Sequence, residues 1–347
     1  MAPQHFLVVA FPGQGHINPA RALAERLARA APGARVTLSA AVSAHRRMFP
    51  SIASPDDEVH DGVISYIPYS EGYDHGFSLL AGDGDEVQRY AEVFGRVGRE
   101  TFSAVLDRLA ARGRPVTCVL YAMLTRGVPR ALYWIRPATM LAVYYHYFHG
   151  YERLVTEHAA EPGFTVSMPG LTPMVIRDLP SFFTNLTDGR TVAAFGDIRS
   201  VRNRDRTTYC NLNKLYSLSS VAYLLLSCNN RIVIDRYCLH CGWNSTLESV
   251  ACGASVVAVP QWFHQDTNTR LVVQWGIGVR AAPGADRVLE AEELARCLEI
   301  IMGDTEEGAA IRVSSAAWKA KLQEAIAHGG SSGHNLGTFV DQFANDA

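Results

Sequence analysis

Apolar and polar positions alternate in blocks along this chain, and each change of period predicts an element. An apolar run from Phe6 to Phe11 reads as a strand, a Gly/Pro loop follows, and Ala20 to Ala30 carry apolar residues at helical spacing. Further extended segments are predicted at Val36 to Ala40, Val63 to Ile67 and Val116 to Tyr121, with Ala131 to Ile135 following Gly127 and Pro129. Such alternation of strand and helix predicts an α/β fold with a parallel, doubly wound sheet. From Glu161 to Arg190 the chain is rich in Pro, Gly, Thr and Phe and reads as a long acceptor-side or interdomain connection. Charged and polar residues crowd between Arg199 and Lys214, where no element can be assigned. Alternation resumes with a strand at Ile232 to Leu239, a helix from Ser245 to Cys252, a strand from Ser255 to Pro260 and a helix through Gln274. More helices are predicted to the end. A second α/β unit is therefore expected, with domains at 1–195 and 196–347.

Length agrees, since 347 residues exceed what one hydrophobic core usually organises. A net charge of -2 with 48% hydrophobic residues is an ordinary globular balance and gives no reason to expect nucleic acid as a partner. Seven cysteines, an odd number scattered at 118, 210, 228, 238, 241, 252 and 297, do not resemble a secreted disulfide framework. A reducing cytoplasm is the expected location. The start MAPQHFLVVAFPGQGH has no basic leader or small-residue cleavage site, so no signal peptide is expected. The apolar stretch Ser217 to Leu226 is too short and interrupted for stable membrane insertion. Without secretion, the glycosylation pattern Asn185-Leu186-Thr187 is a chance match.

The first chemistry-bearing segment is FPGQGHINPARAL. Asn18 can cap the following helix, and Pro19 suits its first position because it lacks an amide that would go unpaired there. His16 is then expected in the loop beyond the carboxyl end of the first strand, where open α/β sheets bind ligands. An imidazole there can take a proton from a hydroxyl; alternatively it hydrogen-bonds its own loop. Gly13-x-Gly15 between strand and helix also permits a dinucleotide reading, with Arg46 and Arg47 available to a 2′-phosphate. Asn18 stands where the third glycine would be, and no acidic residue follows the second strand to take a ribose.

The second segment is HCGWNSTLESVACG. His240 ends an apolar strand, Gly242 permits a tight turn, and Asn244 and Ser245 open a helix whose first amides need acceptors. A diphosphate could supply them, with donors from His240, Asn244 and Ser245 and with Glu248 one turn on for ribose hydroxyls. Ser245 and Glu248 also fit a capping box, in which they satisfy only backbone amides. Cys238, His240 and Cys241 lack a second Cys/His pair at zinc spacing, so no metal is expected. Trp243 and Trp262 suit core packing, and Trp262 equally suits a wall for a sugar ring.

These segments together resemble the plant secondary-product glycosyltransferases of glycosyltransferase family 1. Their donor signature contains HCGWNS, a following Glu, and a proline-ended strand leading to Asp-Gln. Here the run is His240 to Glu248, Gly253, Val256 to Pro260, then Gln261-Trp262-Phe263-His264-Gln265. GQGHINP is similar to the family's catalytic-histidine loop, YWIRPATMLAVYYHYFHGY and IRDLPSFF to its acceptor domain, and GGSSGHNLGTFVDQF to its carboxyl terminus. The acceptor-domain segments resemble in particular the branch that glucosylates anthocyanidins, related phenolics or hormone carboxylates. The resemblance implies a GT-B fold of two facing Rossmann-like domains, an acceptor domain at 1–195 and a shortened donor domain at 196–347. It implies UDP-glucose as donor substrate, no cofactor or metal, inversion at the anomeric carbon, and His16 as general base. His240, Gly242, Asn244 and Ser245 would serve the diphosphate, Trp243 through its backbone amide, and Glu248 the ribose. Trp262, His264 and Gln265 would line the sugar, and Gln14, Tyr145 and His146 a small aromatic or carboxylate acceptor. A monomer is expected.

The family pattern is broken in defined places. No Asp occurs between Asp107 and Asp178, where the family orients its histidine with an aspartate. Tyr121-Ala-Met-Leu-Thr-Arg runs directly into Gly127-Val-Pro, leaving no room for the expected helix. Between Asp197 and Ile232 the first half of the donor domain is largely absent, including the Gly-Ser phosphate loop and the tryptophan and glutamine that bracket uracil and phosphate. Ser255 replaces a proline, and His264 replaces the aspartate, so one acceptor nitrogen stands where two carboxylate oxygens would serve sugar hydroxyls. The alternatives are a noncatalytic remnant that binds a nucleotide or aromatic ligand and, more distantly, an NADP-dependent oxidoreductase.

Overall fold

The computed structural model of the chain describes residues 4–52, 54, 57–77, 84–120, 130–131, 134–184, 236–284 and 288–345. These form two compact units. One contains the described residues of Met1–Ile135 and Ser332–Ala347, the other those of Arg136–Leu186 and Ser220–Ser331. The expected boundary at 195/196, the unassigned stretch 199–214, the apolar stretch 217–226, the sequon at 185–187 and the segment 121–129 all lie outside the described residues.

The first unit runs β1 (His5–Val9), α1 (Gln14–Ala30), β2 (Arg35–Ala41), α2 (Val42–Met48), β3 (Val59–His60), β4 (Ser65–Tyr69), α3 (Gly84–Val93), α4 (Arg99–Ala111), β5 (Cys118–Leu120) and β6 (Arg130–Ala131). The strands form one sheet in the order β3-β4-β2-β1-β5-β6, parallel except for β3. Every residue of β1 and β5 is buried, as is all of β2 after Arg35. That is why these strands read as apolar runs and not as alternations: helices cover both faces. Leu7, Val9, Ile67 and Val119 pack from the sheet against Phe94, Phe102, Val105 and Leu109. Of the strand expected at 131–135, Ala131 lies in the short β6, and 132–133 lie outside the described residues.

The second unit continues with α5 (Ala138–His146), α6 (Glu152–Glu157), the antiparallel pair β7 (Thr165–Val166) and β8 (Met174–Val175), and the short α7 (Ser181–Thr184). Then come β9 (Arg236–Leu239), α8 (Trp243–Cys252), β10 (Ser255–Ala258), α9 (Gln265–Gln274), β11 (Gly278–Arg280), α10 (Ala291–Met302) and α11 (Glu306–Ile326). The last helix, α12 (Ser331–Asn345), belongs from Ser332 onward to the first unit, where Phe339 meets Phe6 and Ser332 accepts from Arg26 at 2.8 Å. The described strands β11-β10-β9 are parallel, with Ala258 beside Leu239 at their carboxyl ends. This is a βαβαβ unit whose two strand-to-helix turns, after β9 and after β10, open at one edge of the sheet. Gly253 ends α8 in the left-handed conformation at φ 70°, where a side chain would be strained.

Two helix starts differ from the sequence expectation. Helix α1 begins at Gln14, with extended Gly13 as its cap and Pro19 inside it. The amides of His16 and Ile17 both reach the Gly13 carbonyl, at 2.9 and 3.1 Å, so the turn closes before Asn18 and Asn18 is not the cap. Helix α8 likewise begins at Trp243, two residues before the predicted start, with Gly242 as cap.

Candidate functional site

The turn after β9 is made by three residues in unlike conformations. His240 is exposed; Cys241 is fully buried in the left-handed region at φ 56°; Gly242 is extended and caps α8. A left-handed non-glycine residue costs about 1–2 kcal/mol and needs compensation from its surroundings. Asn268, fully buried in α9, supplies it by donating from Nδ2 to the Cys241 carbonyl at 2.8 Å. A Cβ at position 242 would lie 2.6 Å from His240 Nε2, so glycine is what allows the imidazole to lie over the turn.

No side chain caps α8. Ser245 is its third helical residue, so the capping box is not formed, because that motif needs the serine at the cap itself. Thr246 bonds back to Gly242 through its amide at 2.9 Å, and the turn before it presents helix amides at the carboxyl edge of the sheet, a geometry suited to phosphate oxygens. Glu248 is half-buried one turn further, and burial raises the pKa of its carboxyl. The Trp243 ring points inward against Trp275, which packs on Trp318, so only its backbone serves the turn. Burial pushes the Cys241 thiol up to about 11, which keeps it protonated and a poor metal ligand.

The neighbouring turn, after β10, carries the second left-handed non-glycine residue, Phe263 at φ 57°. Buried Gln265 folds back so that its Oε1 accepts from the amides of Gln261 and Trp262 at 2.7 and 3.1 Å. Its oxygen therefore holds the loop, and only its amide nitrogen can serve the sugar contact expected of it. Trp262 stacks on Phe263 with ring centroids 4.5 Å apart, and half-buried His264 caps α9.

In the first unit, His16 is half-buried in the first turn of α1, not in a loop. It still stands just past the carboxyl end of β1, the strand at which the sheet order reverses and ligands bind. Phe11 packs on its ring at 5.2 Å and begins an aromatic wall that continues through Phe94 and Tyr90 to Phe77.

No family model matches the chain. Curated relatives do, over almost the whole chain. A crocetin glucosyltransferase of Gardenia jasminoides is 27% identical, covering 97% of each chain. A phloretin 4'-O-glucosyltransferase of Malus domestica is 28% identical, covering 99% of this chain and 98% of that one. The chain is related to the plant UDP-glycosyltransferases. These alignments run over 470 and 484 positions while taking in nearly all of the 347 residues at both ends, so this glycosyltransferase relative is shortened internally. Among solved structures, a UDP-glucose: anthocyanidin 3-O-glucosyltransferase in complex with UDP aligns with a TM-score of 0.73 at 16% identity, over 99% of this chain and 100% of the other. Os79 from O. sativa, in complex with U2F and trichothecene, aligns with a TM-score of 0.70 at 19% identity, over 97% and 100%. The fold is GT-B.

Within this glycosyltransferase relative, the residues expected on the acceptor side divide. Tyr145 stacks on His149 at 4.1 Å, and His146 Nε2 meets the Pro169 carbonyl at 2.9 Å, so both are also structural anchors of their helix. The Gln14 side chain lies outside the described set. Sequence reasoning missed Asn268 and the segment around Asp178 and Ser181, which it assigned to the acceptor side. Thr267 Oγ1 donates to the Asp178 carbonyl at 2.7 Å, and the Asp178 carboxylate takes Arg280 at 2.7 Å, fastening this segment to α9 and β11. The available signal was Gln265, Thr267, Asn268 and Thr269, a polar run on a helix that follows an apolar strand; all four are buried. Among the described residues no helix is long and apolar enough to cross a membrane, and no group of three His, Cys, Asp or Glu could hold a metal ion.

Proposed function

We propose that this chain transfers a hexose from UDP-glucose to a hydroxyl of a small aromatic acceptor, or to a carboxylate of a hormone-like one, with inversion and without a metal. The reading rests above all on the turn after β9, where left-handed Cys241 and glycine 242 bring His240 and the uncapped start of α8 to one edge of the sheet. In this scheme the amides of Trp243 to Ser245, with the His240 and Asn244 side chains, hold the diphosphate, and Glu248 takes the ribose. His264, Trp262 and the Gln265 amide border the sugar. With a hydroxyl acceptor, His16 removes the proton as the oxygen attacks the anomeric carbon; a carboxylate attacks already ionised; in both cases the bond from that carbon to the diphosphate oxygen breaks. The leaving UDP gains negative charge where the helix amides and His240 lie, which is where such donors lower the barrier. The chain would act as a monomer, and in the cytoplasm, a reducing place suited to cysteines at 118, 238, 241, 252 and 297 that form no disulfide.

The test is calorimetric titration with UDP and UDP-glucose, followed by UDP release over a panel of phenolic and carboxylate acceptors. On a phenolic acceptor, His16→Ala should lower turnover about 100-fold or more and leave UDP affinity unchanged, because a general base acts only on the acceptor side. UDP binding with no turnover on any acceptor selects the noncatalytic remnant. Binding of NADP in preference to UDP overturns the glycosyltransferase reading.

A further inference from the structure

Phe263 adopts the left-handed conformation at the centre of the turn proposed to border the sugar, and both of its backbone polar groups are held by one residue. Its amide donates to Ser181 Oγ at 2.8 Å, and its carbonyl accepts from the Ser181 amide at 2.9 Å. Ser181 is itself fixed from both directions along the chain. Behind it, Asp178 is tied to Thr267 and Arg280. Ahead of it, Phe182 and Phe183 are buried against Tyr144, and Phe183 stacks on Tyr147 at 3.8 Å. The amides of Gln261 and Trp262 are held by Gln265 and cannot take over the task.

We infer that Ser181 is a positioning residue of the donor site, holding Phe263 left-handed and so aiming Trp262 and His264 at the transferred sugar. The inference rests on the donor-site reading given above. Relaxation of Phe263 to negative φ would swing the residues on either side of it, because a single residue crossing between these regions redirects the chain. The turn after β9 would keep its shape, since Cys241 is held separately by Asn268. Loss of Ser181 should therefore be felt by the sugar and not by the nucleotide.

The experiment is paired calorimetric titration with UDP-glucose and with UDP. Ser181→Ala keeps the bond from the residue 181 amide to the Phe263 carbonyl but removes the hydroxyl that accepts the Phe263 amide; it should weaken UDP-glucose binding about tenfold and leave UDP binding unchanged. Ser181→Thr, which keeps the hydroxyl, should bind both as wild type does and guards against a Ser181→Ala protein that fails to fold. In a Phe263→Gly background, where the left-handed conformation carries no penalty, adding Ser181→Ala should have no further effect on either ligand. An equal loss for both ligands, no loss for either, or the same Ser181→Ala loss in the Phe263→Gly background would each overturn the assignment. Wild-type protein that binds neither ligand would take down the donor-site reading and this inference with it, whereas wild-type binding of both with an unmoved ratio in Ser181→Ala overturns the inference alone.

Discussion

Glu71, just beyond β4 at the carboxyl edge of the first sheet, is only 1% exposed. Its Oε1 accepts a long hydrogen bond, 3.3 Å, from Ser43 Oγ, and Oε2 is buried without a partner among the described residues. Burial pushes the carboxyl up from 4.5 to about 7; Asp74 adds to the effect, and the Glu71 amide, Ser43 and Arg47 oppose it only in part. Below pH 4.5 the group is protonated in folded and unfolded chains alike and costs nothing. Between 4.5 and about 7 the unfolded chain releases its proton while the folded one keeps it, so stability falls as pH rises, and above about 7 the deficit stays constant. At about 1.36 kcal/mol per pKa unit, the full deficit is on the order of 3 kcal/mol. Glu71→Gln keeps the shape and removes the titration. It should match wild type at acid pH and exceed it by that amount above neutrality. Urea denaturation of both proteins across the range measures the difference. The difference matters because buried His5 and His45, both with lowered pKa from desolvation, lose stability in the opposite sense as pH falls below 6.5. Parallel curves for the two proteins would refute the argument, since they would mean that Glu71 is ionised in the fold.

Three predictions concern the donor turns. Asn268→Ala leaves the Cys241 carbonyl without its donor in a buried place, which should cost about 1–3 kcal/mol in denaturation and weaken UDP and UDP-glucose alike in calorimetry. Gly242→Ala should spare the fold, because φ -59° and ψ 144° suit alanine, yet it should lower UDP affinity about tenfold by displacing the His240 ring from the phosphate. His264→Asp restores two sugar-facing oxygens and should tighten UDP-glucose about tenfold without changing UDP, as paired titration would reveal.

Much of this was legible in the sequence because periodicity and turn chemistry are local. The buried strands β1, β2 and β10 announced themselves as apolar runs, and His240, Gly242 and Glu248 as a strand-turn-helix with phosphate-ready spacing. The start of α1 was misplaced because Asn18-Pro19 is a strong local cap signal, overridden when the Gly13 carbonyl collected two amides one turn earlier. The capping box failed in the same way: its spacing is present, but the helix had already begun at Trp243. Asn268 and Ser181 were hidden for a different reason. Each acts on a backbone group far away in sequence, 27 and 82 residues off, and no local pattern encodes such a partner.

Backbone strain marks the same two turns as the motif does, and by an independent observation. Among the described residues, two non-glycine residues adopt left-handed backbone, Cys241 and Phe263. Both lie in the turns that carry the proposed donor residues, one in the turn proposed for the diphosphate and one in the turn proposed for the sugar. Each is held through its main chain by a polar side chain, Asn268 or Ser181. Left-handed strain of this kind persists only where the surroundings over-determine it, and it gathers at ligand sites. The parts that over-determine it here, α9 and the segment from Asp178 to Phe183, lie outside the stretch between Asp197 and Ile232 where the sequence leads one to expect the shortening. The scaffold that shapes the two turns is thus in place, while the stretch 197–232 contains neither the tryptophan nor the glutamine that the resemblance leads one to expect at the uracil. Loss of donor affinity in this chain should accordingly begin at the base, which leaves the two turns, with the residues that clamp them, to carry what donor binding remains.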